Sequence, residues 1–244
     1  MKIAFLTTYN WEGAYVLKTV LESGIPVDLL IVQDIWWKKV VFWGYSIKYW
    51  FRLFLDKTFG VYGSRYYTIS DICRRNKLKQ VSIKDINGEL DYLRGVSPDL
   101  IVVVGSRIIK RHIIEAFPRR IINFHTGILP QYRGPYSEFW AMYNQDTRNV
   151  GTTIHLIDTG IDTGDIIGQK RLTNVCDTPE SAHIENVKSG AVLLVECLRN
   201  IGNKSLSTTA QDNSVTHYYS YPSDKEFLSL TKKIGKKFSI DFSE

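Results

Sequence analysis

Cysteine is scarce in this sequence. Cys73, Cys176 and Cys197 are odd in number, far apart and without metal-ligand spacing. A disulfide framework and a cysteine metal site are therefore excluded, and reduced thiols are expected. No uncharged run reaches the ~20 residues that a spanning helix needs. The turn after the opening strand, Thr7-Thr8-Tyr9-Asn10-Trp11-Glu12-Gly13, holds neither G-x-G-x-x-G nor a P-loop, so dinucleotide and nucleoside-triphosphate cradles are unsupported. The first strand-like run begins at Lys2, which leaves no room for a signal peptide and gives a cytoplasmic expectation. Charge of one sign is only slightly in excess. Lys+Arg is 31 against Asp+Glu 25, a net +6. That suits anionic small molecules or an anionic surface but does not single out nucleic acid.

What is present is enough apolar material for a full core: 44% of 244 residues are hydrophobic. Disorder is excluded. One large domain with a small appendage is expected, here a catalytic domain over 1–203 and an extension over 204–244 with a possible subunit contact. Strand-like and helix-like stretches alternate. Strands are expected over Lys2–Tyr9, Pro26–Val32, Gln80–Ile83, Asp99–Val104, Arg120–His125, Gly151–Ile157 and Gly164–Leu172. Helices are expected over Glu12–Glu22, Ile69–Leu78, Asn87–Val96, Lys110–Phe117 and from Ser137 to Asn144. A long helix opens at Thr178-Pro179, where the missing proline N–H costs nothing. The order predicts an α/β fold: a Rossmann-like open sheet with helices on both faces, largely parallel in its first half. Between Trp36 and Tyr62, aromatics such as Trp43, Trp50 and Phe54 interleave with Lys38, Lys39, Lys48 and Arg52. This segment reads as a cover over the chain's own core, a membrane-surface helix or a subunit contact.

In open α/β sheets, ligands gather beyond the carboxyl ends of the strands. Asn123 and His125 stand two apart at such an end, and period two puts both side chains on one face. An amide beside an imidazole offers two donors where negative charge develops on a tetrahedral oxygen. Imidazole also handles a proton near neutral pH. Asp162 lies on another loop at the same edge, and a carboxylate facing that ring orients it and favours its charged form.

The run N-F-H-T-G-I-L-P-Q-Y-R-G, followed by T-T-I-H-L-I-D-T-G-I-D-T-G-D-I-I, resembles the catalytic domain of the formyltransferases that use N10-formyltetrahydrofolate. The resemblance spans about Asp99 to Val187. It implies a catalytic triad of Asn123, His125 and Asp162, with no metal. It also implies a folate pocket lined by Ser106, Arg107 and Ile108 on one side and by Ile157, Asp158, Thr159, Gly160 and Ile161 on the other. The chain departs from the family at Thr126-Gly127, where Pro-Ser usually follows the histidine. By the same resemblance, a neutral amine attacks the formyl carbon, Asn123 and protonated His125 hold the oxygen, and Asp162 steadies the imidazolium.

Absences narrow the acceptor. Glycinamide ribonucleotide transformylases hold a phosphate on a Gly-Ser-Asn-type loop after the first strand, and Thr7–Gly13 has none. The stretch after Asn200 is too short for the barrel that methionyl-tRNA formyltransferases add, and the Lys232, Lys233, Lys236 and Lys237 cluster reads as a solvated face rather than a nucleic-acid site. The class left by the resemblance is an amine on a nucleotide-linked sugar, with Asn10, Trp11, Tyr132, Arg133 and Gly134 expected at the substrate and Tyr136 and Trp140 as stacking candidates. A homodimer is also implied, with possible peripheral contact at the inner face of a membrane through 36–62. Two alternatives stay open: transfer to another amine, and a folate or nucleotide binding module without turnover.

Overall fold

The computed structural model describes residues 1–34, 68–173, 178–203, 207–212, 214 and 217–234. The aromatic-basic segment 36–62, Cys176, Lys236 and Lys237 lie outside the described residues. The chain divides into two compact units, Met1–Arg120 and Ile121–Glu244.

In the first unit, β1 (Ile3–Thr8), β2 (Leu29–Gln33), β3 (Gln80–Ile83) and β4 (Leu100–Val104) form a parallel array in the order β3-β2-β1-β4. Ala4 stands opposite Leu29, Ile3 opposite Leu100 and Leu30 opposite Gln80. β2 and β4 are buried along their whole length. Their continuous apolar runs are what strands covered on both faces require. Between the strands lie α1 (Trp11–Glu22), α2 (Ile69–Asn76), α3 (Leu90–Val96) and, after β4, α4 (Arg111–Ala116). Asn10 caps α1, its Oδ1 accepting the Gly13 amide at 2.8 Å.

One expected helix is two elements. Over Asn87–Val96 the structure has a 3₁₀ turn, Ile86–Gly88, and then α3. Asp85 Oδ1 accepts the Asn87 amide at 3.0 Å, closing a local turn that competes with a helical start. Asn87 in turn reaches the loop after β4, donating to the Ile108 carbonyl at 3.0 Å and accepting from the Lys110 amide at 2.7 Å.

The second unit pairs antiparallel: β5 (Ile121–His125) with β6 (Gly151–Leu156), and β6 with β7 (Ile166–Arg171). The expected parallel first half is present, and the pairing here is antiparallel. Around these strands lie α5 (Ser137–Tyr143), α6 (Pro179–Gly202) and α7 (Asp224–Ile234). α6 opens with a capping box in which Thr178 and Ser181 exchange side-chain and backbone bonds, with Pro179 in the first turn. α6 packs on β6 and β7. The approach is close at Gly190, where a Cβ would sit 2.6 Å from the Thr152 side chain. Asn186 is fully buried on the same helix and donates to the Gly151 and Thr126 carbonyls at 2.7 and 3.2 Å. A second core gathers Tyr132, Phe139, Trp140, Ala141, Val150, Ala182 and Leu230. Burial pushes the Cys197 thiol up to about 11 and that of Cys73 upward, so both free, buried thiols are poor nucleophiles. Among the described residues, no helix is long and apolar enough to cross a membrane.

Candidate active site

β5 ends at His125, and its alternation places Asn123 and His125 on one face, as expected. The partner strand adds a residue that sequence reasoning missed. Asn123 stands opposite His155 in the β5–β6 register, and the Asn123 amide lies 3.2 Å from His155 Nε2. His155 Nδ1 lies 2.8 Å from the Leu156 carbonyl, which can only accept. The hydrogen-bond pattern therefore assigns one His155 proton to Nδ1, and Nε2 accepts from Asn123 in the neutral ring or faces Asp162 as a donor in the charged one.

His125 is fixed in the same way. Its Nε2 lies 2.8 Å from the Tyr132 carbonyl, so that nitrogen donates, and the Ser137 hydroxyl stands 3.2 Å away. The other nitrogen, Nδ1, faces Asp162 Oδ2 at 3.7 Å. His155 Nε2 faces the second carboxylate oxygen at 3.6 Å. The two rings stand edge to face, their centroids 6.1 Å apart. The structure thus brings Asn123, His125 and Asp162 together and adds His155 between the amide and the carboxylate.

Asp162 is held in place by its loop. Its φ of +53° is left-handed, a region that L residues other than Asn and Asp seldom occupy. Its Oδ2 accepts the Gly134 amide at 2.9 Å. Gly134 itself has a φ of +100°, and a Cβ there would meet the Tyr219 backbone carbonyl at 2.1 Å. Asp158 closes the turn before Asp162 by accepting from the Gly160 amide at 3.1 Å and the Thr163 hydroxyl at 2.6 Å. Burial on its own would raise the Asp162 carboxyl. The charge on His125, the hydrogen bond and charge of His155 and the Gly134 amide outweigh it and hold the group well below the usual carboxylate range.

The sign of that shift sets an acid limb. A carboxyl whose folded pKa is depressed adds stability above its unfolded pKa, about 3.9 for aspartate, and loses that stability as pH falls through the folded value. Asp162→Asn is therefore expected to flatten the loss of stability below about pH 4. Urea unfolding of both proteins across pH 2–7 checks this, and an unchanged acid limb would contradict it.

Behind the histidines lies a second ionic pair. Glu138, buried in the first turn of α5, meets His183 of α6 at 2.8 Å. Burial raises the Glu138 carboxyl, but the His183 charge and hydrogen bond and a bond from Thr126 bring it below its ordinary value. Gly127 shows why the loop after His125 departs from Pro-Ser. A Cβ at this position would lie 2.5 Å from Ser137 Cβ and 2.6 Å from His125 Nε2. Ser137 fills that space and brings its own hydroxyl to the ring.

The other expected site residues are placed as follows. In the first unit, Ser106, Arg107 and Ile108 follow β4; Ile108 is 70% exposed, and Arg107 faces Asp85 at 3.9 Å. Asn10 caps α1, and Trp11 packs edge-on to Tyr15. In the second unit, Asp158, Thr159, Gly160 and Ile161 form an exposed loop after β6, while the Ile157 amide bonds the Ile121 carbonyl at 2.9 Å. Tyr132 and Arg133 are buried. Arg133 Nη2 donates to Gln211 Oε1 at 3.0 Å. Trp140 is interior: it stacks on Tyr219 and donates to the Ser220 carbonyl at 2.9 Å. Tyr136 is exposed, with its ring edge-on to Tyr221 and Phe227. Among the described residues, no His, Cys, Asp and Glu group has a metal-binding arrangement.

Residues 67–198 match the model of the formyl transferase family. The chain belongs to that family, and it has the α/β fold of its solved members. It is 26% identical over 239 residues to the methionyl-tRNA formyltransferase of Agathobacter rectalis, covering 95% of this chain and 69% of that one. It is 33% identical over 131 residues to the enzyme of the same name from Trichlorobacter lovleyi, covering 53% of this chain but only 41% of that protein's length. Among solved structures, an N-formyltransferase from Helicobacter canadensis, crystallised with folinic acid and dTDP-3-aminofucose, superposes with a TM-score of 0.63 at 22% identity, covering 91% of this chain and 71% of that one. Glycinamide ribonucleotide transformylase 1 from Symbiobacterium toebii gives a TM-score of 0.65 at 18% identity, covering 87% and 94%.

Proposed function

We propose that this chain transfers the formyl group of N10-formyltetrahydrofolate to the primary amine of a nucleotide-linked amino sugar. The observation that carries formyl transfer is the cluster of Asn123, His125, His155 and Asp162. In this reading the Asn123 amide and His125 Nδ1–H donate to the formyl oxygen as negative charge grows on it. Asp162 lies 3.7 Å from His125 Nδ1, which stabilises the charged ring while that donation is made. Because the Tyr132 carbonyl holds Nε2, the exchangeable proton of His125 is the one on Nδ1. The folate co-substrate supplies the one-carbon group. In the second unit, the exposed loop before Asp162 fits it, with Ile161, 43% exposed, offering apolar surface for a flat ring. Ser106, Arg107 and Ile108 keep the folate role that the family pattern gives them. No step calls for a metal ion.

The choice of acceptor rests on two supports. The solved neighbours include N-formyltransferases crystallised with dTDP or a dTDP-amino sugar. The start of α1 is also a poor seat for a phosphate monoester, because Asn10 already takes the Gly13 amide and Glu12 adds a carboxylate to the first turn. A second reading, transfer to methionyl-tRNA, is favoured by the names of the curated relatives. The test is a panel assayed for amine-dependent release of tetrahydrofolate: dTDP- and UDP-linked 3-amino and 4-amino sugars, glycinamide ribonucleotide and charged initiator tRNA. Turnover is expected with one amino sugar and not with the ribonucleotide or the tRNA. Turnover with tRNA alone would replace the acceptor, and folate binding without release on any amine would leave only a binding module. A homodimer and a contact at the inner membrane face stay part of the proposal. Sedimentation and liposome flotation decide them.

A further inference from the structure

Gln211 is a buried polar side chain far along the chain from the catalytic cluster, yet it is bonded to that cluster's loops. Its Nε2 donates to the backbone carbonyl of Asp162 at 2.9 Å and to that of Gly164 at 2.7 Å. Its Oε1 accepts from Arg133 at 3.0 Å. One amide therefore joins the loop that carries Asp162 to the loop that supplies the Tyr132 carbonyl and the Gly134 amide. The segment bearing it is anchored on both sides. Thr209 and Ile166 exchange backbone bonds of 2.8 Å, and the Tyr219 amide donates to the Arg133 carbonyl at 2.9 Å. Asp162 is thus fixed at two points, its carboxylate by Gly134 and its left-handed backbone by Gln211.

We propose that Gln211 is a positioning residue, which clamps the Asp162 backbone to Arg133 and so holds the Asp162 carboxylate against His125 and His155. A side-chain amide is the group this place requires. It gives two hydrogens to two carbonyls and takes one from a guanidinium, so one side chain serves three partners at once. Glutamate at 211 would keep the bond from Arg133 and place an acceptor against two acceptors. Methionine would keep the shape and lose all three bonds.

The kinetic consequence rests on the formyl-transfer reading, whereas the structural consequence does not. The test therefore has two arms, applied to Gln211→Glu and Gln211→Met. The first arm is amide hydrogen exchange. The Gly134 amide, which donates to the Asp162 carboxylate, is expected to exchange at least tenfold faster in both variants. The Tyr132 amide, bonded to the Ile128 carbonyl in the same loop, should keep its wild-type rate. Wild-type protection of Gly134, or equal acceleration of both amides, overturns the proposal. The second arm is steady-state kinetics with the acceptor found in the panel. Here kcat is expected to fall on the order of 10- to 100-fold with KM for the amine nearly unchanged, since a misplaced catalytic group costs turnover rather than binding. Gln211→Glu keeps its link to Arg133 and Gln211→Met keeps the shape without a buried charge, so whichever of the two folds carries the test. Full kcat in a folded variant also overturns the proposal. Should wild type formylate no amine, the functional reading fails and the exchange arm alone decides Gln211.

Discussion

Asn123→Ala and His125→Ala are each expected to lower kcat on the order of 10²–10³-fold, the cost of removing one donor from a developing oxyanion. The geometry makes the two losses different in kind. Asn123 gives one amide hydrogen to His155 Nε2, which leaves its second for a substrate oxygen. Its loss removes a donor and also frees His155 to turn toward Asp162, 3.6 Å away. His125→Ala removes the ring that Asp162 stabilises and leaves a buried carboxylate facing one histidine instead of two. The double variant should therefore fall less than the product of the singles, because both act on one oxygen. Tetrahydrofolate release at saturating amine and folate measures all three. Near-normal turnover in either single variant would remove the catalytic assignment.

His183→Ala is expected to cost about 3 kcal/mol of stability. That is the lower part of the range for breaking a buried ion pair by deleting one partner, and His183 is 28% exposed where Glu138 is 6%. The cost arises because the buried Glu138 carboxylate loses the 2.8 Å contact and its facing charge and keeps the weaker bond from Thr126. Replacing both partners with apolar residues, His183→Leu with Glu138→Leu, should recover much of the loss. Urea midpoints of the three proteins give the answer. A His183→Ala protein as stable as wild type would show that the pair adds nothing. Glu138 directly follows Ser137, whose hydroxyl stands beside His125. The same variant should therefore also slow turnover, through the start of α5 rather than through contact with substrate.

The alternation of strands and helices was legible because most strands are short apolar runs and several helices have a readable start. Ile3–Thr8, Leu100–Val104 and the Thr178-Pro179 opening are examples. The split at Glu89 was not, because the Asp85–Asn87 turn that makes it is held by bonds from Asn87 to a loop about twenty residues away in sequence. At the site, Asn123 and His125 followed from a period of two, and Asp162 from the family pattern around it. His155 left a signal that was passed over. It is a histidine inside a buried strand, directly before the turn that carries Asp162. A buried imidazole there needs partners on both nitrogens, which is reason enough to look across the sheet. Gln211 and the Tyr132 carbonyl left no signal of that kind. One acts across a large sequence separation, and the other acts through a backbone atom that every residue carries.

The four side chains of the cluster come from one stretch, residues 123–162, and they meet on the antiparallel pair β5–β6 and the loop that follows it. The same stretch holds Tyr132, Arg133 and Gly134, and the Gly134 amide bonds Asp162 directly, so a change in this loop reaches the cluster through one hydrogen bond.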